Sequence, residues 1–348
     1  SGFILGEIMF FSWYKKFSSQ PHQPFFTSGI LFLILFMSLF VSVYSNFLVL
    51  DNSVLTYHAY TMVFVIFIQF FLGFLFVVFP RFLIQAEIQI QEYMKQFLLY
   101  FFASLGIFLS LIFYSKVTFI FQILMLIAQI MSFKLLYSIH KKSIVKVKED
   151  TKWVLISLFS GLVFHSLFII SSLNFPYAYE LSRFAIDGGF YLFLFMVIFV
   201  ISQRMIPFFT TAKAPNYVAN KSVNLLTIIF SLLAFKVILL AFDNAKLNLL
   251  ADIPLFIMIT RELIKWKLPF FKSPAIMWVL FLGLYWIPVA FFMSIIEGLM
   301  AFYNPSIIFE KAVIHTMALG YFLTVLIGFG TRVILGHSGT TPHASNFA

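Results

Sequence analysis

Long apolar runs, interrupted by short polar stretches, recur from one end of the chain to the other. A window of roughly 20 residues picks out about ten of them. They are Phe25–Leu50, Tyr57–Phe79, Tyr93–Tyr114, Val117–Ile139, Trp153–Leu173, Leu181–Ser202, Ser222–Phe242, Asn248–Leu263, Ala275–Leu299 and Ile307–Leu335. The eighth is short and carries Asp252. No stretch alternates with period two, which argues against a β-barrel. Apolar runs in lipid must satisfy their own backbone groups, so each predicts a helix. The fold class expected is all-α, a polytopic transmembrane helical bundle. Residues 1–348 read as a single multi-pass domain, with residues 1–24 as an N-terminal interfacial segment. Phe3 to Trp13 is too short to span and suits the membrane surface.

Composition sharpens this picture. The 348 residues are 62% hydrophobic and only 10% charged, which excludes a soluble domain. There is no cysteine, so disulfides, thiolate metal sites and thioether-linked haem are excluded. A metal or haem would rely on His, Met, Tyr, carboxylates or water. The net charge is +10. In a membrane protein that excess belongs to the cytoplasmic loops, not to a nucleic-acid partner. A cytoplasmic N-terminus puts Lys141, Lys142, Lys146, Lys148 and Lys152 inside, with Arg81, Arg204, Arg261, Lys265 and Arg332. Only Lys116, Arg183, Lys246 and Lys311 then lie outside, and Lys134 and Lys236 fall within spans.

Candidate chemistry concentrates in the last run, where His315 to Gly339 reads HTMALGYFLTVLIGFGTRVILGHSG. If this run is helical, His315 and His337 are roughly 33 Å apart along its axis and cannot share one metal. Between them Thr316, Gly320, Thr324 and Gly328 form a small-residue stripe. Such a stripe admits another backbone or a flat ligand. Topology sorts the histidines. His58, His165 and His315 fall on the outer side, and His22, His140, His337 and His343 on the cytoplasmic side. Imidazole within a span is costly unless paired and is the natural ligand for haem iron or copper. At a helix end the same residue can simply be interfacial. His22, His140 and His343 are expected to be solvated.

Arg81, Arg204 and Arg332 end spans on the inner side, either as positive-inside anchors or as partners for haem propionates. Pro207 is expected to end its helix near Ile206. Asp187-Gly188-Gly189 suggests an unwound segment of the kind transporters use at substrate sites. Arg183 one turn away is a candidate ion-pair partner, and Glu297 and Asp252 are other possible partners for such a site.

The segment His315 … Thr331-Arg332-x-x-Leu335-Gly336-His337-x-Gly339 resembles the signature of the NnrS family. Tyr57-His58-Ala59-Tyr60 is similar to that family's Trp-His-Ala-His segment. Gln203-Arg204-Met205-Ile206-Pro207-Phe208-Phe209-Thr210 is similar to its Gly-Arg-x-Ile-Pro-x-Phe-Thr segment. Trp266, Pro274 and Leu282-Gly283-Leu284-Tyr285-Trp286 resemble a later helix. The family comprises multi-pass bacterial inner-membrane proteins that hold haem and copper and are linked to relief of nitric oxide stress.

The resemblance implies haem b, with copper possible, and nitric oxide or a nitrosylated iron species as partner. It implies His58, His315 and His165 as outer-side cofactor ligands, and His337, Arg332, Arg204 and Arg81 as inner-side contacts. His58 and His315, each opening a span on the outer side, are expected to flank one haem. No residue implies catalytic turnover. The chain departs from the family where its second histidine is Tyr60, where an acidic residue is Thr61, and where a later histidine is Phe281. A haem with one or two axial ligands survives these losses better than a copper site of several histidines. The family also carries helices beyond the Gly-His-x-Gly motif, which implies a truncated chain or a shorter branch. The alternative reading is a secondary transporter without cofactor, centred on Asp187 and Arg183.

Overall fold

Every span expected from the hydropathy pattern is a helix in the computed structural model. It describes residues 11–173, 175–214, 216–304, 306–309 and 311–337, without the side chains of Lys213 and His337. The helices are α1 His22–Tyr44, α2 Val54–Phe82, α3 Ile90–Phe113, α4 Thr118–Lys142 and α5 Glu149–Ser171. They continue as α6 Ala178–Ala212, α7 Leu225–Leu240, α8 Ala245–Trp266, α9 Ala275–Met300 and α10 Ala312–Gly336. No strand occurs among the described residues. Among the described residues, eight helices are long and apolar enough to cross a membrane. The exceptions are α7, which is short, and α8, which carries charged residues.

Packing divides the chain into two units, at Phe190/Tyr191 within α6. In the first, α1 packs on α2 and α3, α3 on α4, α4 on α5, and α5 on the start of α6. In the second, α8 packs on α7 and α9, and α9 on α10.

Local sequence explains the helix ends. Ser53 caps α2 by accepting the Thr56 N–H at 3.4 Å, and Asn244 caps α8 by accepting that of Lys246 at 3.0 Å. Both satisfy donors that a helix start leaves open. Glu149 and Asp150 sit in the first turn of α5, and Lys141 and Lys142 in the last turn of α4. Each sign opposes the helix dipole.

Two expectations about helix ends fail, for stated reasons. Pro207 does not end α6, which runs on to Ala212. A proline leaves the carbonyl four residues earlier without its N–H. That carbonyl is Gln203 O, and the Lys221 ammonium bonds it. Asp187-Gly188-Gly189 does not unwind. The chain passes directly from α-helix into a π-helical stretch, Gly189–Phe195. The glycines serve close packing: a Cβ on Gly188 would lie 2.1 Å from the Phe164 ring, and one on Gly189 2.5 Å from Phe64.

Two further π-helical stretches occur, Met62–Ile66 in α2 and Thr316–Leu323 in α10. A π turn lengthens the repeat to i→i+5 and strands carbonyls along the helix. Side chains take them up. Gln129 donates to Phe64 O at 2.8 Å, Gln69 to Val65 O at 2.8 Å, and Thr324 to Leu319 O at 3.2 Å. The small-residue stripe of α10 meets α9 and not a flat ligand. Cβ atoms on Gly320 and Gly328 would lie 2.6 Å from Trp286 and 2.5 Å from Leu280.

Candidate functional site

All three stretches singled out for chemistry adjoin π-helical segments. His315 directly precedes the one in α10, and Tyr57–Tyr60 and Asp187 each end one residue short of those in α2 and α6. π turns inside α-helices occur often at functional sites.

The buried centre of the first unit is His165, which is 0% exposed. Its surroundings fix its chemistry. Phe64 O can only accept, so the Gln129 amide turns its NH2 toward it. The Gln129 Oε1 then faces His165 Nδ1 at 2.7 Å, and Nδ1 carries the proton. That leaves the lone pair on Nε2, where the Tyr60 hydroxyl donates at 2.9 Å. The Phe64 ring stacks on the imidazole at 4.8 Å, and Phe168 stacks on Tyr60 at 4.5 Å. Both nitrogens of His165 are therefore engaged by protein groups. In this arrangement the nitrogen that could bind a metal accepts from Tyr60, the position where the chain departs from the family pattern.

His58 lies half-buried near the start of α2, its ring 4.5 Å from Phe40. His315 sits on α10 and is exposed. Its Nδ1 donates to Lys311 O at 2.8 Å, which places the lone pair on Nε2. Metal-binding histidines are typically oriented by such a bond to a carbonyl. His22 is not solvated as expected but buried against Phe26. His140 is half-buried and pairs with Thr151 Oγ1 at 3.0 Å.

Of the residues expected on the inner side, Arg81 is exposed and pairs with Glu87 at 3.0 Å. Arg204 is half-buried. Arg332 lies 4.0 Å over the Phe209 ring, with its Nη1 3.3 Å from Met277 Sδ. Arg183 lies 5.9 Å over Tyr179. The His337 side chain, Gly339 and His343 lie outside the described residues.

A second polar centre, which the sequence did not assemble, occupies the second unit. The Lys236 ammonium on α7 meets Asp252 Oδ1 on α8 at 2.5 Å, the two side chains 2% and 0% exposed. Ser294 on α9 donates to Asp252 Oδ2 at 2.5 Å, and Lys236 lies 5.4 Å over the Tyr191 ring. Asp252 is thus engaged within the second unit. Glu297, the other suggested partner, accepts from Phe309 N at 2.8 Å. The missed signals were the glutamines within apolar runs and the pairing of Lys236 with Asp252. An uncharged amide does not break a hydropathy window, and Lys236 and Asp252 are distant in sequence.

No group of three or more His, Cys, Asp or Glu side chains able to hold a metal ion occurs among the described residues. The donors present suit a group needing one or two axial nitrogens, such as haem. They do not suit a copper ion held by several histidines. The profile of one known family, described as NnrS protein, matches residues 16–348, nearly the whole chain. No curated protein matches it.

Proposed function

The chain belongs to the NnrS family, and on that premise we propose that it is a haem-binding membrane protein that relieves nitric oxide stress. Its multiple apolar helices make it a multi-pass membrane protein, and the proposed location is the bacterial inner membrane. The observation that supports the reading most directly is His315. Its Nδ1–H bond to Lys311 O orients the imidazole at the start of a long apolar helix, as such bonds orient metal-binding histidines. In the first unit, His58 is likewise proposed as a haem ligand. Arg332 lies roughly 25 Å along α10 from His315, so it and Arg204 are proposed as carboxylate partners for a separate, inner-side group, which suits the two-point geometry of a guanidinium. Bound haem would supply an iron centre able to take up nitric oxide or exchange nitrosylated iron. The protein's part is to hold that group where an uncharged diatomic gas partitions from lipid.

The test is the absorption spectrum of the purified protein from haem-replete cells. A Soret band that shifts on reduction and on nitric oxide addition is expected. His315→Ala should remove or displace it while helicity by circular dichroism stays unchanged. A featureless visible spectrum would overturn the reading, as would a band indifferent to His315→Ala and His58→Ala.

A further inference from the structure

The two helices that fall short as membrane spans are the two joined by the buried ion pair. α7 has 16 residues, about 24 Å of helix, against a hydrocarbon core of about 30 Å. α8 has 22 residues, but Lys246, Asp252, Arg261, Glu262 and Lys265 break its apolar character. Residues 241–244 connect them in a tight turn, so they enter the membrane as neighbours. Taken singly, Lys236 and Asp252 each put a charge deep in its own helix. Taken together, they neutralise one another at 2.5 Å and expose almost nothing. The carboxylate's other oxygen is bonded by Ser294 of α9, and the ammonium faces the Tyr191 ring. The remaining charges on α8 lie toward its ends. Glu262, near the far end, accepts Ser222 N at 2.8 Å and the Trp266 indole at 2.9 Å. Lys246 opens the helix beside the turn, over the Phe302 ring at 4.9 Å.

We propose that Lys236 and Asp252 form a charge-neutralising latch through which α7 and α8 cross the membrane as one inserted hairpin. Ser294 and Tyr191 then seat the neutralised pair against the rest of the second unit. The latch works by cancelling charge, so two apolar residues should serve nearly as well as two paired charges, and one charge alone should fail.

Because the sequence has no cysteine, single introduced cysteines report the topology of the full chain cleanly. Phe242→Cys marks the turn between α7 and α8, where Phe242 is 66% exposed. Phe271→Cys marks the connection between α8 and α9, where Phe271 is 92% exposed. A membrane-impermeant maleimide applied to right-side-out and inverted vesicles should label the two from opposite faces. Adding K236L or D252L should lower the crossing-to-non-crossing ratio at Phe242→Cys by on the order of a hundredfold. The double variant K236L/D252L and the swapped pair K236D/D252K should both restore it to within severalfold. Parent-like labelling in either single variant would overturn the proposal. So would a K236L/D252L double that behaves like the singles, because geometry rather than charge cancellation would then be what the hairpin needs.

Discussion

His165 in the first unit and Lys236–Asp252 in the second solve the same problem by opposite means. Each is a polar group sunk in an apolar helix, where an unmatched donor or charge is costly. The first unit uses neutral groups, Tyr60, His165 and Gln129, and closes the chain on the Phe64 carbonyl. That carbonyl is available because α2 takes a π turn there. An irregular backbone thus dictates, through one amide, which imidazole nitrogen carries the proton. The second unit asks nothing of the backbone. It sets an ammonium against a carboxylate and fixes two helices to each other. Neutral networks specify a state of one side chain, and ionic pairs specify which helices belong together.

The largest effect expected from this contrast is on the ionic side. Asp252→Ala leaves the Lys236 ammonium buried without its counter-charge, a loss of about 3–5 kcal/mol in comparable buried pairs. Denaturant titration in detergent, followed by helicity, measures it. A loss smaller than that of the neutral-network variant would break the comparison. That variant is Gln129→Leu, which strands the His165 Nδ1–H and the Phe64 carbonyl together. Each orphaned group costs about 1–3 kcal/mol in soluble proteins, while interhelical bonds in membranes average about 0.6 kcal/mol. A total loss of about 1–3 kcal/mol is expected in the same titration. An effect indistinguishable from zero would mean that the tautomer of His165 is not held by the π-turn carbonyl.

The helices were legible because apolar length is a property of each run alone. All ten runs became helices, and the two that fell short were those whose charges need each other. Pairings were less legible. Lys236 was visible within a span, but nothing in the sequence says that α8 brings Asp252 to it. His165 stood out as an intramembrane histidine, yet its state depends on Gln129 and on a π turn that leaves no hydropathy signature. Pro207 pointed to a helix end by a sound local rule. The rule was overridden by Lys221, a residue beyond the helix that supplies the donor proline lacks. Local chemistry was readable wherever its partner lay within a turn or two. His315 and Lys311 are one turn apart, and there the orientation of the imidazole follows from the helix itself.

The smallest expected effect lies outside the spans, where a polar group is partly wet. The Tyr217 hydroxyl donates to Trp266 O at 2.8 Å within the second unit. Burial, with a contribution from Tyr285, pushes its pKa up to about 12, against about 10 for the free side chain. Below pH 10 the phenol is protonated in folded and unfolded chains alike, so it adds no pH dependence. Between about 10 and 12 the unfolded chain releases the proton while the folded chain keeps it, so stability falls as pH rises through that window. Tyr217→Phe removes this proton linkage and also the bond to Trp266. The variant should be slightly less stable than the parent at pH 8 and should lose less between pH 10 and 12. Parallel denaturant titrations at the two ends of that window check the sign. Equal alkaline losses in both proteins would show that the hydroxyl is as wet in the folded chain as in the unfolded one. The contrast between buried and partly wet polar groups would then have to be drawn further inside the membrane.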